Sequence, residues 1–322
     1  MKNKSVNPAS ALDRISVLDL RQKINSLKAL DLVAATGEQL HARVGRIIHQ
    51  MPFQPRDLLI SGLYRARKND GASFENAAEL WYPPAAFIKR PGRLNDVGQQ
   101  RFYAASTPMT SIMELKPMVG DVFTILSAVT HSRAIEKMRV SFVGIERCKS
   151  WELDHLTSES FYRHSQQFRA AIGEANYKKW LLVDDCLSGL LAEPVADDEG
   201  HKYKPTIALG NLLFACQFMD AVNYPSVATH DLGINICLSP ERADALFTPS
   251  EAWMMRIEGV DAHPETGESL YRVRWLRRSA KIATDGTITW LPDGIGFDPA
   301  EVQRFVRGRL EFLSQPPKPL AG

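Results

Sequence analysis

Apolar residues recur at helical spacing near the start of the chain. Leu12, Ile15, Leu18 and Leu20 open one face, which Ile24, Leu27 and Leu30 continue; Leu40, Val44, Ile47 and Ile48 form a second face over 38–50. Residues three and four apart share one side of a helix, so residues 10–50 read as an amphipathic helix pair. Pro52 and Pro55 end the second helix. From Leu58 the pattern changes. Leu63 to Arg67 and Arg101 to Ala105 read as strands, separated by a Lys-Asn-Asp-Gly turn and an extended Tyr82-Pro83-Pro84 connection. Thr107-Pro108 suits a helix start leading into Met109 to Leu115. Val122 to Val129 and Arg139 to Ile145 read as further strands. Residues 150–220 are mostly helical in pattern, over Ser158 to Ala175, Lys178 to Asp184 and a buried Thr206 to Ala221. Short strands follow at Val222 to Val227 and Gly233 to Leu238. The stretch from Trp253 to Trp290 is β-rich, with a hairpin signal at Asp285-Gly286. A short helix over Pro299 to Leu313 and a polar, proline-rich end complete the chain, and no repeat interrupts it.

Composition narrows the class without naming a function. The 322 residues suffice for one large or two modest domains. With 44% hydrophobic and 24% charged residues the chain reads as an ordinary soluble globular protein. A formal charge of +2 supplies no global field that would draw the protein to nucleic acid or membrane. No apolar run approaches the roughly 18 residues of a membrane span, and no apolar run behind Met1-Lys2-Asn3-Lys4 reads as a signal peptide. The expectation is a cytoplasmic protein with reduced, buried cysteines at 148, 186, 216 and 237.

Each candidate for chemistry competes with a plainer reading. The eight histidines include no H-E-x-x-H; His41 and His49 lie two turns apart with no converging carboxylate or thiol, so no metal site is expected. A Rossmann fingerprint, a P-loop and a G-x-S-x-G elbow are absent. Arg272, Arg274, Arg277 and Arg278 around Trp275 suit either a solvated strand face or stacking on single-stranded nucleic acid. Arg93 after Gly92, Tyr103 on a strand and Glu114 among Ile112, Met113 and Leu115 bring a cation, a ring and a carboxylate onto consecutive elements. That Glu belongs either to an exposed helix face or to a site.

The ordered pieces resemble the RES-domain family. They are Tyr64-Arg65, Gly92-Arg93-Leu94-Asn95, Phe102-Tyr103-Ala104-Ala105-Ser106, Ile112-Met113-Glu114-Leu115, Tyr224-Pro225-Ser226-Val227 and Gly233-Ile234-Asn235. All occur in the family's order, over Leu58 to Leu246. Leu94 stands where the family commonly has Trp, and Ala66 where some members have Tyr.

The resemblance implies an α+β fold with an ADP-ribosyltransferase-like compact core of short strands and flanking helices. It divides the chain into an N-terminal helical extension (1–57), a catalytic domain (58–246, with a helical insertion over about 145–205) and a β-rich C-terminal extension with a polar tail (247–322). It implies cleavage of NAD+ at the nicotinamide–ribose bond, by phosphorolysis or hydrolysis, as the toxin of a toxin–antitoxin pair. ADP-ribosyl transfer to a protein is one alternative; a non-catalytic scaffold or nucleic-acid-associated regulator is another. Glu114, Tyr103 and Arg93 are the implied catalytic residues, and Arg65, Ser226 and Asn235 the substrate-binding or supporting ones. NAD+ enters as substrate, with no cofactor and no metal. The implied partners are NAD+, inorganic phosphate, an antitoxin protein and a second copy of the chain, without membrane or direct nucleic-acid contact.

Overall fold

The computed structural model describes residues 12–49, 56–58, 62–131, 138–144, 155–196, 198–215, 219–229, 233–262 and 269–296. Cys148, Cys216 and the expected helix over Pro299 to Leu313 lie outside the described residues. In chain order the helices and strands are α1 (Val17–Lys28), α2 (Gly37–Ile48), β1 (Arg56–Leu58), β2 (Gly62–Asn69), β3 (Phe102–Ala105), α3 (Pro108–Met113), β4 (Val122–Thr130), β5 (Met138–Phe142), α4 (His155–Ile172), α5 (Glu174–Ala192), α6 (Lys204–Phe214), β6 (Ala221–Pro225), β7 (Ile234–Leu238), α7 (Pro240–Leu246), β8 (Phe247–Ala262), β9 (Ser269–Ile282) and β10 (Ile288–Trp290). The fold is α+β.

Contacts divide the chain into two compact units. The first draws on segments within 1–58, 84–101 and 138–227, the second on segments within 59–83, 102–137 and 228–322. This partition runs across the linear segments expected at 57/58 and 246/247; it describes packing, and those boundaries stay a reading of the sequence.

In the first unit, α1 and α2 start on capping boxes. Ser16 accepts from the Asp19 N–H and Thr36 from the Gln39 N–H, and both partner side chains return a bond to the cap. Leu20, Ile24 and Leu27 of α1 and Leu40, Val44, Ile47 and Ile48 of α2 are buried. Leu18, expected on the inner face, is 66% exposed. Two helical positions from Leu20 is about 200° around the axis, so it turns outward. α1 packs on α2 and α5, and α2 on α6. Gly173, with φ 80, breaks the helical stretch into α4 and α5 in a left-handed conformation that favours glycine. The helix expected over Thr206 to Ala221 starts at Lys204, with Pro205 in its first turn, and ends at Phe214; Ala221 already begins β6. The apolar, partly β-branched Ala221-Val222 pair extends beside β5, with which β6 pairs in parallel. β1 pairs antiparallel to β5 on its other edge.

The second unit is an antiparallel sheet in the order β7-β3-β2-β4-β8-β9-β10. Side chains alternate across it. One face buries Ala66, Phe123, Ile125, Trp253, Met255 and Trp275 against Met109 and Ile112 of α3. Each large side chain there contributes about 1.5–3 kcal/mol by leaving water. The other face buries Leu126 and Ala252 against Ala77 and Leu80 of the connection after β2. The β-rich C-terminal stretch is therefore part of this sheet: β8 runs beside β4 from Val122 to Thr130. The hairpin expected at Asp285-Gly286 joins β9 to β10, with Thr287 N–H donating to the Asp285 carboxylate at 2.9 Å.

Candidate active site

Four of the six candidate residues belong to the second unit. β3 pairs with β7 so that Tyr103 faces Cys237 and Ala105 faces Asn235, and with β2 so that Ala105 faces Tyr64. Partners across a ladder share a face, and so do residues two apart. Tyr103 and Asn235 therefore project from the same face, the one that carries α3. Thr107 caps α3 by accepting from the Thr110 N–H, and Pro108 occupies the first turn. This short helix delivers Glu114 at its C-cap. Asn235 Nδ2 donates to Glu114 Oε1 at 2.6 Å, a bond across 121 positions of sequence. Asn235 is buried and Glu114 half-buried, so the bond fixes one carboxylate oxygen in a partly dry setting. Lys116, two residues on, holds φ 50, a left-handed conformation that costs a non-glycine residue about 1–2 kcal/mol. Strain of this kind collects at functional sites.

Arg65 leaves β2 opposite Tyr64 and lies against the Phe102 ring, 5.9 Å from its centroid. β2 and β3 share one ladder pair, and where they part the guanidinium takes over. Its Nη1 donates to the Tyr103 carbonyl at 2.6 Å and its Nε to the Trp81 carbonyl at 3.2 Å. Among the described residues no carboxylate pairs with Arg65. Burial lowers its pKa to about 10, and the Arg67 charge adds to that; the group remains protonated near neutrality.

The residues that hold this corner were not singled out from the sequence. Asp244 of α7 accepts from Trp81 Nε1 at 2.8 Å and from the Tyr82 hydroxyl at 2.6 Å. Trp81 packs on Phe102 with ring centroids 4.3 Å apart. Burial and the Asp244 carboxylate push the Tyr82 phenol up to about 12, so it stays a donor. Tyr82-Pro83-Pro84 signals only an extended connection in the sequence, and Trp81 and Asp244 carry no signal.

Arg93 and Ser226 belong to the first unit. Gly92 and Asn95 close a tight turn, with Gly92 N–H donating to the Asn95 carbonyl at 2.9 Å. Leu94 is fully buried, and Gly210 of α6 comes so close that a Cβ there would stand 2.8 Å from the Leu94 carbonyl oxygen. Leu94 and Gly210 thus pack tightly beneath the Gly92–Asn95 turn. Arg93, half-buried, donates to the Glu193 carbonyl at 3.0 Å and sits 5.9 Å from the Tyr203 ring centroid. Ser226, directly after β6, has no exposed surface.

The arginines of β9 are matched by acids. Arg272 pairs with Asp261 (3.1 Å), Arg274 with Glu258 (3.8 Å), Arg277 with Asp293 (2.6 Å) and Arg278 with Glu251 (2.8 Å). Trp275 is buried, so it offers no ring for a base to stack on. This strand is a charge-balanced face. Among the described residues no group of three His, Cys, Asp or Glu side chains could hold a metal ion, and no helix is long and apolar enough to cross a membrane.

No curated protein matches the chain. A family model does match, over a segment holding Arg65, Arg93, Tyr103 and Glu114, while Ser226 and Asn235 lie past its end. That family is the one to which the ordered motifs pointed: residues 62–183 match the RES domain.

Proposed function

We propose that this protein cleaves NAD+ at the nicotinamide–ribose bond, with Glu114 as the residue that stabilises the transition state. The RES-domain family is associated in general with NAD+-related toxin activity. The observation that carries the reading is the Asn235–Glu114 bond of 2.6 Å on the sheet face from which Tyr103 projects. Cleavage passes through an oxocarbenium-like ribose, as in glycoside hydrolysis. The bonding pair leaves on the nicotinamide nitrogen, which enters as a cation and departs neutral, so no general acid is needed. Positive charge builds at the ribose C1′, where a carboxylate fixed in place beforehand needs no reorganisation. Asn235 holds one Glu114 oxygen in place, so the carboxylate charge is fixed before the sugar cation forms. The Tyr103 ring stacks on nicotinamide. Water then bonds to C1′ through its oxygen and loses a proton to solvent, or an anionic phosphate oxygen bonds there directly.

Arg65 lies on the other face of the sheet and holds β3 through its bond to the Tyr103 carbonyl, so its support for the site is positional; direct binding of pyrophosphate by it rests on the resemblance alone. Arg93 and Ser226 carry substrate-binding roles from the resemblance alone; the burial of Ser226 favours a positioning role over direct contact. The same reading brings an ADP-ribosyltransferase-like core and a place as the toxin of a toxin–antitoxin pair.

The test is incubation of the purified full chain with NAD+, with and without phosphate, followed by NMR of the products. Free nicotinamide is the expected product, with ADP-ribose or its 1″-phosphate identifying the acceptor. NAD+ left intact in both arms, with no protein in a lysate labelled, would overturn the enzymatic reading.

A further inference from the structure

The first unit contains a cavity of about 670 Å³, lined by Arg14, Lys23, Arg43, Arg46 and His49, with Asp19 as its carboxylate. Its sides are stripes of α1 and α2. Asp19 and Lys23 lie one turn apart on α1, while Arg43 and Arg46 of α2 and His49 at its C-cap recur every three residues. We propose that this groove binds a small polyphosphate-bearing anion of nucleotide size, independently of the NAD+ chemistry above.

Four permanent cations face one carboxylate, and that carboxylate is committed. Asp19 Oδ2 accepts from the Ser16 N–H at 3.3 Å and from the Ser16 hydroxyl at 2.7 Å, closing the α1 cap. Its pKa is lowered chiefly by the Ser16 hydroxyl, so it is charged, yet it forms no ion pair with the arginines among the described residues. Arg43 is held in the groove by neutral groups, donating from Nη1 to the Ser26 carbonyl at 2.8 Å and to the Ser26 hydroxyl. Arg14 and Arg46 form no ion pair with a carboxylate among the described residues, and Lys23 acts on Asp19 only through its charge, without a salt bridge. Segments 1–11 and 50–55, which flank the pair in sequence, contain no Asp or Glu. Like charges gathered without counter-ions repel one another, and an anion removes that cost.

Gly45 supports the same assignment. It interrupts α2, where glycine costs about 0.5–1 kcal/mol relative to alanine. A Cβ at Gly45 would meet two atoms of the His49 ring at 3.3 Å, so the glycine lets the imidazole lie back along the helix. The cavity volume falls in the range of small-molecule pockets, roughly 300–1,000 Å³, large enough for a nucleotide and generous for a single phosphate. Guanidinium groups on a concave wall suit the forked recognition of phosphate oxygens.

The experiment is isothermal titration of the full chain with ATP, inorganic tripolyphosphate, AMP and a single-stranded oligonucleotide, at fixed salt. ATP and tripolyphosphate are expected to bind more tightly than AMP. An Arg14→Ala/Arg46→Ala double variant is expected to bind both at least about tenfold more weakly, since each lost charge-assisted contact to phosphate is worth about that much. Arg21→Ala on α1, outside the groove, serves as control, and thermal unfolding of each variant checks the fold. Tripolyphosphate binding that is undetectable, or unchanged in the double variant, overturns the proposal. Binding of the oligonucleotide alone overturns it too, because the groove would then serve a polymer. A Glu114→Gln chain is expected to bind tripolyphosphate as the unaltered chain does, so failure here and failure of the NAD+ reading are separable.

Discussion

Arg65 and Arg278 stand on strands of one sheet, and both are largely withdrawn from water. Arg278 meets the Glu251 carboxylate at 2.8 Å and the Gly296 carbonyl at 2.9 Å. Arg65 meets two carbonyls and no carboxylate among the described residues. Glu114 accepts from Asn235 on the other face of the sheet. A guanidinium neutralised by a neighbouring acid has its work defined by the fold. One held only by neutral groups in a partly dry place still has attraction to give to an anion. The same contrast separates the acid-matched arginines of β9 from the cations of the α1–α2 groove.

The sharpest way to break this comparison is to remove Arg65. Arg65→Ala leaves the Trp81 and Tyr103 carbonyls without their donors, and is expected to cost about 2–3 kcal/mol of stability in urea unfolding. The Michaelis constant for NAD+ is expected to rise at least about tenfold as well. A rise in neither would make Arg65 no different from a surface arginine. A smaller effect is expected at Asn235. Asn235→Ala removes the group that aims Glu114, so turnover should fall about tenfold while the Michaelis constant moves little. Steady-state kinetics of nicotinamide release, on a variant shown to be folded, decides it; unchanged turnover would reduce the 2.6 Å bond to packing. The smallest effect is expected at Arg278. Its partner Glu251 is partly exposed, so Arg278→Ala should cost no more than about 1 kcal/mol and leave NAD+ kinetics unchanged.

Local physics made much of this fold legible. The spacing of Leu40, Val44, Ile47 and Ile48 fixes one side of α2 whatever surrounds it, and Thr107-Pro108 and Asp285-Gly286 mark a helix start and a hairpin by backbone chemistry alone. The motif order placed Arg65, Tyr103 and Glu114 on the right elements. It did not place Glu114 on Asn235, because that bond depends on the β3–β7 register and on where α3 ends. Nor did it expose the Trp81–Phe102–Asp244 corner, whose parts meet only after α7 has packed. The end of α6 is hidden in the sequence because Thr206 to Ala221 is mostly apolar, broken only by Asn211, Gln217 and Asp220 beyond its first residue, and such a run does not distinguish a buried helix from a helix followed by a buried strand. Nothing in the sequence sets Lys23, Arg43 and Arg46 apart; they meet only where two helices form one groove.

The central claim is that Glu114 acts as a fixed negative charge beside a forming cation. Glu114→Gln keeps the shape and a partner for Asn235 while removing the charge. Measured beside the unaltered chain at saturating NAD+, it is predicted to lower turnover by about a hundredfold or more, with the Michaelis constant changed far less. Turnover close to that of the unaltered chain, in a variant with unchanged thermal unfolding, would contradict the account and make Glu114 a structural residue.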